Sequence, residues 1–272
     1  MTRIHAPRAL AALFLITLAL AYAGAWARSA GGEGLAGTAH DFTASGSGDV
    51  KGQDGTGLCT FCHTPQRGPG ARLMWNHASS PNTFRWDAAS TFGGTPLPQI
   101  SGATYAGTSA RCLSCHDGSV AIGDVAEFQG QAGSGPANLA PAHMTDFAIK
   151  YQVGVGGDLS GNHPVGVPYP LGRVPNHYNG VSTGQAGGVF AANEWQPDPS
   201  TSASANIRLY VDDGTGNIST MAPGAITMNA GIECSSCHDP HNRASVDAMF
   251  LRGKLAGRSR ADGYLCEQCH SK

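Results

Sequence analysis

Three features of the sequence predict a mostly irregular fold. The pentapeptide Cys-x-x-Cys-His occurs four times and uses all eight cysteines. Across the chain, 38 glycines and 16 prolines interrupt any extended secondary structure. No regular repeat extends beyond the pentapeptides themselves. Short helices are predicted at the pentapeptides, joined by loops and a few short strands that include one β-hairpin.

The first copy places Cys59 and Cys62 before His63, and the second Cys112 and Cys115 before His116. The third has Cys234, Cys237 and His238, and the fourth Cys266, Cys269 and His270. This is the attachment pattern of c-type haem. Two thiols three residues apart reach neighbouring vinyl groups of one porphyrin, and the histidine that follows binds the iron from the proximal side. The four copies predict four covalent haems in a haem-cored multihaem cytochrome c. Zinc ribbons fit less well, because their second cysteine pair usually follows about 15–20 residues after the first. Here the intervals are 64–111, 117–233 and 239–265. A disulfide framework suits an exported protein with an even cysteine count, but nothing in it places every cysteine in one pentapeptide. A thioredoxin-like site needs only a single pair.

The N-terminus reads as a secretory signal over residues 1–27. Arg3 and Arg8 form a basic start, Ala9 to Ala23 is apolar, and Ala25-Trp26-Ala27 supplies a small-x-small cleavage site. An uncleaved anchor is the alternative, since Ala9 to Ala27 approaches the roughly 17–25 residues needed to span a bilayer. Cleavage leaves 28–272 as a single tetrahaem domain with no later membrane span, exported to the periplasm or beyond. Loss of Arg3 and Arg8 makes the mature chain more negative than the formal −2 of the whole. Nucleic acid, which needs a basic surface, is excluded as a partner. Charged residues are only 13% of the chain, about half the usual share.

The motifs divide the mature chain into haem regions at about 31–127 and 232–272, with a haem-free insert at about 128–231. In the insert, the glycine-rich runs Gly130–Gly135 and Gly154–Gly157 predict loops. Ile207 to Val211, a turn at Asp212 to Gly216, and Asn217 to Thr220 predict the hairpin. A short helix is predicted over Ala244 to Lys254, with Val246, Met249, Phe250 and Leu251 on its apolar side.

Distal ligands decide what the irons can do. Beyond the four motif histidines and His5 of the signal, six remain: His40, His77, His143, His163, His177 and His241. They suffice to give every iron a second imidazole. Met74, Met144, Met221, Met228 and Met249 are the competing ligands, and an axial methionine raises the potential. His241 follows proximal His238 by three residues, too close to reach the opposite face of the same iron. It is expected to serve a second haem.

Phe61-Cys62-His63-Thr64-Pro65, Met74-Trp75-Asn76-His77, Cys112 to Gly118, Asn162-His163-Pro164-Val165 and Cys237-His238-Asp239-Pro240-His241 resemble the signatures of multihaem cytochromes with paired haem motifs. The nearest likeness is to extracellular tetrahaem cytochromes of metal-reducing bacteria that polymerise into conductive filaments. That resemblance implies bis-histidine haems stacked in alternating parallel and T-shaped pairs, with one iron taking a histidine from a neighbouring subunit. It implies distal roles for His40, His77, His163 and His241, and leaves His143 and His177 as non-ligands. Gln66 departs from the pattern, where relatives often carry histidine. His40 lies in a Gly-, Ser- and Ala-rich stretch suited to an arm reaching a neighbour, so head-to-tail self-assembly is expected.

Two functional classes follow. The first is an electron carrier with no catalytic residue, passing electrons by outer-sphere transfer to other redox proteins or extracellular acceptors, as a filament subunit or a monomeric shuttle. The second is a multihaem reductase of a small oxyanion such as nitrite, which needs an iron with an open position. A membrane-anchored quinol-oxidising subunit is a third reading, tied to an uncleaved N-terminus.

Overall fold

The computed structural model describes residues 34–46, 50–52, 57–64, 75–128, 131–132, 151–170, 175–185, 187–188, 192–201, 207–225, 227–241, 249–252 and 265–271. The signal segment, His143 and residues 244–248 and 253–254 of the expected helix lie outside them; its described residues 249–252 are not helical, because Phe250 has φ 57° and Leu251 forms a β-bridge with His238. Among the described residues no helix is long and apolar enough to cross a membrane.

The described chain is mostly loop and turn, with small antiparallel sheets and two short α-helices. Strands β1 (Thr83–Phe84) and β2 (Ile100–Ser101) pair with Phe84 opposite Ile100. Helix α1 (Thr108–His116) carries the whole second motif at its C-terminal end. Strands β3 (Glu127–Phe128) and β4 (Gln131–Ala132) form a tight hairpin. Part of the Gly130–Gly135 stretch expected as loop is therefore paired. A hairpin needs only two connecting residues, so β4 fits between the glycines. The Gly154–Gly157 run is a single 3-10 turn, Val155–Gly157, with Gly154, Gly156 and Gly157 at positive φ.

A four-stranded antiparallel sheet, ordered β5-β10-β8-β9, occupies the middle of the fold. It joins β5 (Val167–Pro168), β8 (Tyr210–Asp212), β9 (Ile218–Thr220) and β10 (Ala230–Ile232). The predicted hairpin is the β8–β9 pair, with Val211 opposite Ser219. Its turn is held by Asp213, whose carboxylate accepts from the Thr215 and Asn217 backbone amides. A separate pair, β6 (His177–Tyr178) and β7 (Val181–Ser182), packs beside the sheet. Central β10 is wholly buried and runs straight into α2 (Cys234–Cys237), the third motif. Gly231 is required there, because a Cβ would lie 2.2 Å from the Tyr178 ring.

Apolar packing forms three small clusters, each touching a haem motif. Val50, Phe61, Ile122 and Val125 pack with Cys62 of the first motif. Phe84, Trp86, Ile100 and Leu159 surround Leu113 of the second. Val167, Tyr169, Leu209, Met221, Ala230 and Ile232 pack with Cys269 of the fourth. Cores this small stabilise little by themselves, since burial of one large apolar side chain contributes about 1.5–3 kcal/mol.

Candidate functional site: four cysteine pairs and their histidines

The motifs share one local geometry. In the first, third and fourth, the histidine backbone N–H donates to the carbonyl of the first cysteine, at 2.9, 3.0 and 2.9 Å for His63, His238 and His270. The second lies in regular helix. One helical turn sets both cysteine side chains on the same side, as attachment to a single porphyrin requires.

All eight cysteines are free thiols, so they form no disulfide framework. Nor, among the described residues, do three or more His, Cys, Asp or Glu side chains converge as a metal site of their own. The thiols instead neighbour one another in motif order. Cys112 is hydrogen-bonded to Cys234, and that bond together with burial raises its pKa. Burial pushes the Cys62 thiol up to about 11. Cys115 is raised to about 12 by burial and then by the Cys62 charge. Cys237 is raised to about 11 by burial, with the charge of Cys266 adding to that of Cys234. The second motif thus touches the third through Cys112 and Cys234, and charge coupling links it to the first and links the third to the fourth.

The junction between the second and third motifs is polar. Glu233, wholly buried, caps α2 through a reciprocal pair of bonds with Ser236. Its carboxylate also accepts from the Ser109 N–H at 2.8 Å and the Ser109 hydroxyl at 2.6 Å. The Tyr178 hydroxyl donates to it at 2.8 Å and the Tyr105 hydroxyl also donates. Burial holds this carboxyl above the usual range, while the bonds from Ser109, Tyr105 and Tyr178 pull it down. Gly107, preceding α1, brings no side-chain cap, so Glu233 satisfies that helix start from across the fold. On the far side of the third motif, Arg252 pairs with buried Asp239 at 3.4 Å. Its Nε donates to the Ser235 carbonyl at 2.9 Å and the His238 carbonyl at 3.2 Å.

Two motif histidines are oriented as metal ligands usually are, with the second ring nitrogen tied to an acceptor. His116 Nδ1 lies 2.9 Å from the Tyr151 carbonyl, and His238 Nδ1 lies 2.7 Å from that of Met249. Both rings therefore present Nε2 for ligation. His63 Nδ1 is buried without a hydrogen-bond partner.

The distal candidates fall into three settings. His241 lies against His63, with ring centroids 6.0 Å apart and planes 13° from parallel. His40 lies 6.1 Å from His116, stacks at 4.7 Å on Phe250, and hydrogen-bonds the Pro240 carbonyl. Its pKa is lowered to about 4, first by burial and then by His116; the ring is neutral, as a ligand must be. Two imidazoles that hold one metal from opposite sides, with bonds of about 2 Å each, have centroids about 6 Å apart. Both pairs match that spacing.

His77 is buried with both nitrogens at backbone carbonyls, Nδ1 3.1 Å from Ala78 and Nε2 3.2 Å from Ile122. His163 is exposed, its Nδ1 2.9 Å from the Pro164 carbonyl. His177, expected as a non-ligand, lies on β6 with Nδ1 2.5 Å from the Ser182 hydroxyl.

The stretch around His40, expected to reach out as an arm, is instead folded onto its own chain. Asp41 is buried and accepts from the Gly37 and Thr43 amides. Phe42 packs on Phe61 at 5.1 Å. Small flanking residues suggested mobility; the Asp41 turn and the aromatic anchor outweigh them.

The free cysteine pairs, the oriented proximal imidazoles and the paired histidines all fit covalent haem. They are the features of a multihaem c-type cytochrome, a class that binds haem and transports electrons. A family described as the doubled CXXCH motif matches residues 227–272, the segment that holds the third and fourth motifs. Comparison with curated proteins gives no match.

Proposed function

We propose that the protein is an exported tetrahaem cytochrome c that conducts electrons and binds no substrate at iron. Haem supplies a one-electron iron couple when bound. Cys59 and Cys62, Cys112 and Cys115, Cys234 and Cys237, and Cys266 and Cys269 anchor the four groups. His63, His116, His238 and His270 would each supply an imidazole to the iron held by their own cysteine pair. The observation that carries the reading is the pair of histidine couples, His63 with His241 and His116 with His40. Each couple would offer one iron two imidazoles, which would leave it no open site for an oxyanion. His77 and His163 are the candidates for the other two irons. The succession of neighbouring thiols supports a continuous row of cofactors.

Intact mass of the mature protein should show four haem additions and a start near Arg28. Carbon monoxide should leave the reduced spectrum unchanged. A carbon monoxide adduct at one haem would replace this reading with that of a reductase.

Head-to-tail assembly is a second reading, favoured by the exposure of His163, whose Nε2 has no partner among the described residues. Electron microscopy of secreted protein, wild type against His163→Ala, tests it. Monomers in the wild type would end the filament reading and leave electron transfer intact.

A further inference from the structure

The fourth motif is strapped by the haem-free insert. After the 3-10 turn Ala192–Glu194, Trp195 forms an antiparallel bridge with His270. Gln196 N–H donates to the Cys269 carbonyl at 2.9 Å, and Ser271 N–H to that of Glu194 at 2.8 Å. The Gln196 side-chain amide reaches the Glu267 carbonyl at 3.3 Å. Tyr169, buried on the sheet side, sends its hydroxyl to the Gln196 carbonyl at 2.7 Å and to the Cys269 carbonyl at 3.3 Å. The Trp195 indole lies over the His270 imidazole with centroids 4.5 Å apart and planes at 41°. The Tyr169 ring braces its other side edge-on, at 5.4 Å and 88°.

We propose that Trp195 is a positioning residue for the fourth haem: its indole, braced by Tyr169, sets the rotation of the His270 ring. In the second and third motifs, a bond from Nδ1 to a carbonyl steers His116 and His238. At His270, a broad aromatic face packs against the ring and limits its swing. Ring orientation tunes an axial ligand's bonding to iron, and outer contacts of this kind adjust potential as well as geometry. The strap also explains why a segment without haem motifs separates the two pairs: residues 194–196 and Tyr169 hold the last motif against the sheet. The inference rests on the four-haem reading.

The test compares wild type, Trp195→Ala, Trp195→Phe and Tyr169→Phe as intact haem proteins. Haem number and the mass of the C-terminal haem peptide are measured first. Low-spin electron paramagnetic resonance signals and potentiometric titrations follow. In Trp195→Ala, one of four signals and one of four midpoint potentials should move while three stay fixed; Trp195→Phe should return both towards wild type. Tyr169→Phe, which keeps the ring and loses only the hydroxyl, should leave the signal in place and keeps the test informative if the alanine variant folds poorly. Unchanged signals in Trp195→Ala would overturn the proposal, as would equal movement of all four, which marks general packing. A wild-type C-terminal peptide without haem would overturn the four-haem reading itself, and this inference with it.

Discussion

Replacing Glu233 probes how the second and third motifs are fixed to each other. Besides the Ser236 amide of the capping box, which also reaches the Glu233 backbone carbonyl, the fully buried carboxylate receives four donors: the Ser109 amide, the Ser109 hydroxyl, and the hydroxyls of Tyr105 and Tyr178. In Glu233→Ala all four lose their acceptor in a closed space that water does not enter freely. A buried donor left unpaired costs about 1–3 kcal/mol. The three hydroxyls can turn towards other acceptors while the Ser109 amide cannot, so the total should be about 3–5 kcal/mol, as for other broken buried networks. Glu233→Gln keeps one carbonyl oxygen for the amide but turns an NH2 towards the tyrosines, and should cost about 1–2 kcal/mol. Unfolding in guanidinium chloride followed by circular dichroism measures both. The pH dependence has a definite sign. Burial raises the folded-state pKa above the unfolded one, so the contribution is fully present below the ordinary glutamate value. It declines as pH rises towards the folded value, because the unfolded chain ionises first. Wild type should therefore lose stability relative to Glu233→Gln across that window. An alanine variant within about 1 kcal/mol of wild type would refute the network's role. A wild-type to glutamine difference constant with pH would refute the raised pKa.

Three further outcomes are expected. His241→Ala should keep all four haems and turn one iron high-spin, and a spectrum unchanged from wild type would break the pairing with His63. Arg252→Ala removes the cation beside buried Asp239, which keeps the His241 amide as a donor, so unfolding should show a loss of about 3–5 kcal/mol, largely recovered by adding Asp239→Asn. Gly231→Ala drives a methyl into the Tyr178 ring; the strain should lower stability by about 1–3 kcal/mol in the same unfolding assay.

The motifs and the hairpin were legible because their signals are local. Four copies of one pentapeptide pattern identify their own chemistry, and Asp212-Asp213-Gly214-Thr215-Gly216 between two β-rich runs specifies a turn within a few residues. The short distance from His238 to His241 already pointed away from the same iron, and the structure sets the His241 ring beside His63. What stayed hidden depends on contacts far apart in sequence. Glu233 meets Ser109 and Tyr105, and Trp195 meets His270; no periodicity marks either partner. The Glu-Cys junction at 233–234 was the one available hint, an acidic residue beside a haem motif in a chain poor in charge. His40 was misplaced for a related reason. Composition suggested a loose arm, whereas one aspartate and one phenylalanine anchor the segment.

The order of strands in the central sheet bears on modularity. Because β10 lies between β5 and β8 and then becomes the third motif, excising residues 128–231 would not release a smaller cytochrome with four motifs. The excision would remove β5, β8, β9 and all but one residue of β10, together with Tyr178 and the Trp195 strap. A change of length is accommodated most easily at the exposed tip of the β8–β9 turn, outside the sheet. The third motif therefore stands on strands drawn from the segment between the motif pairs, although that segment carries no Cys-x-x-Cys-His of its own.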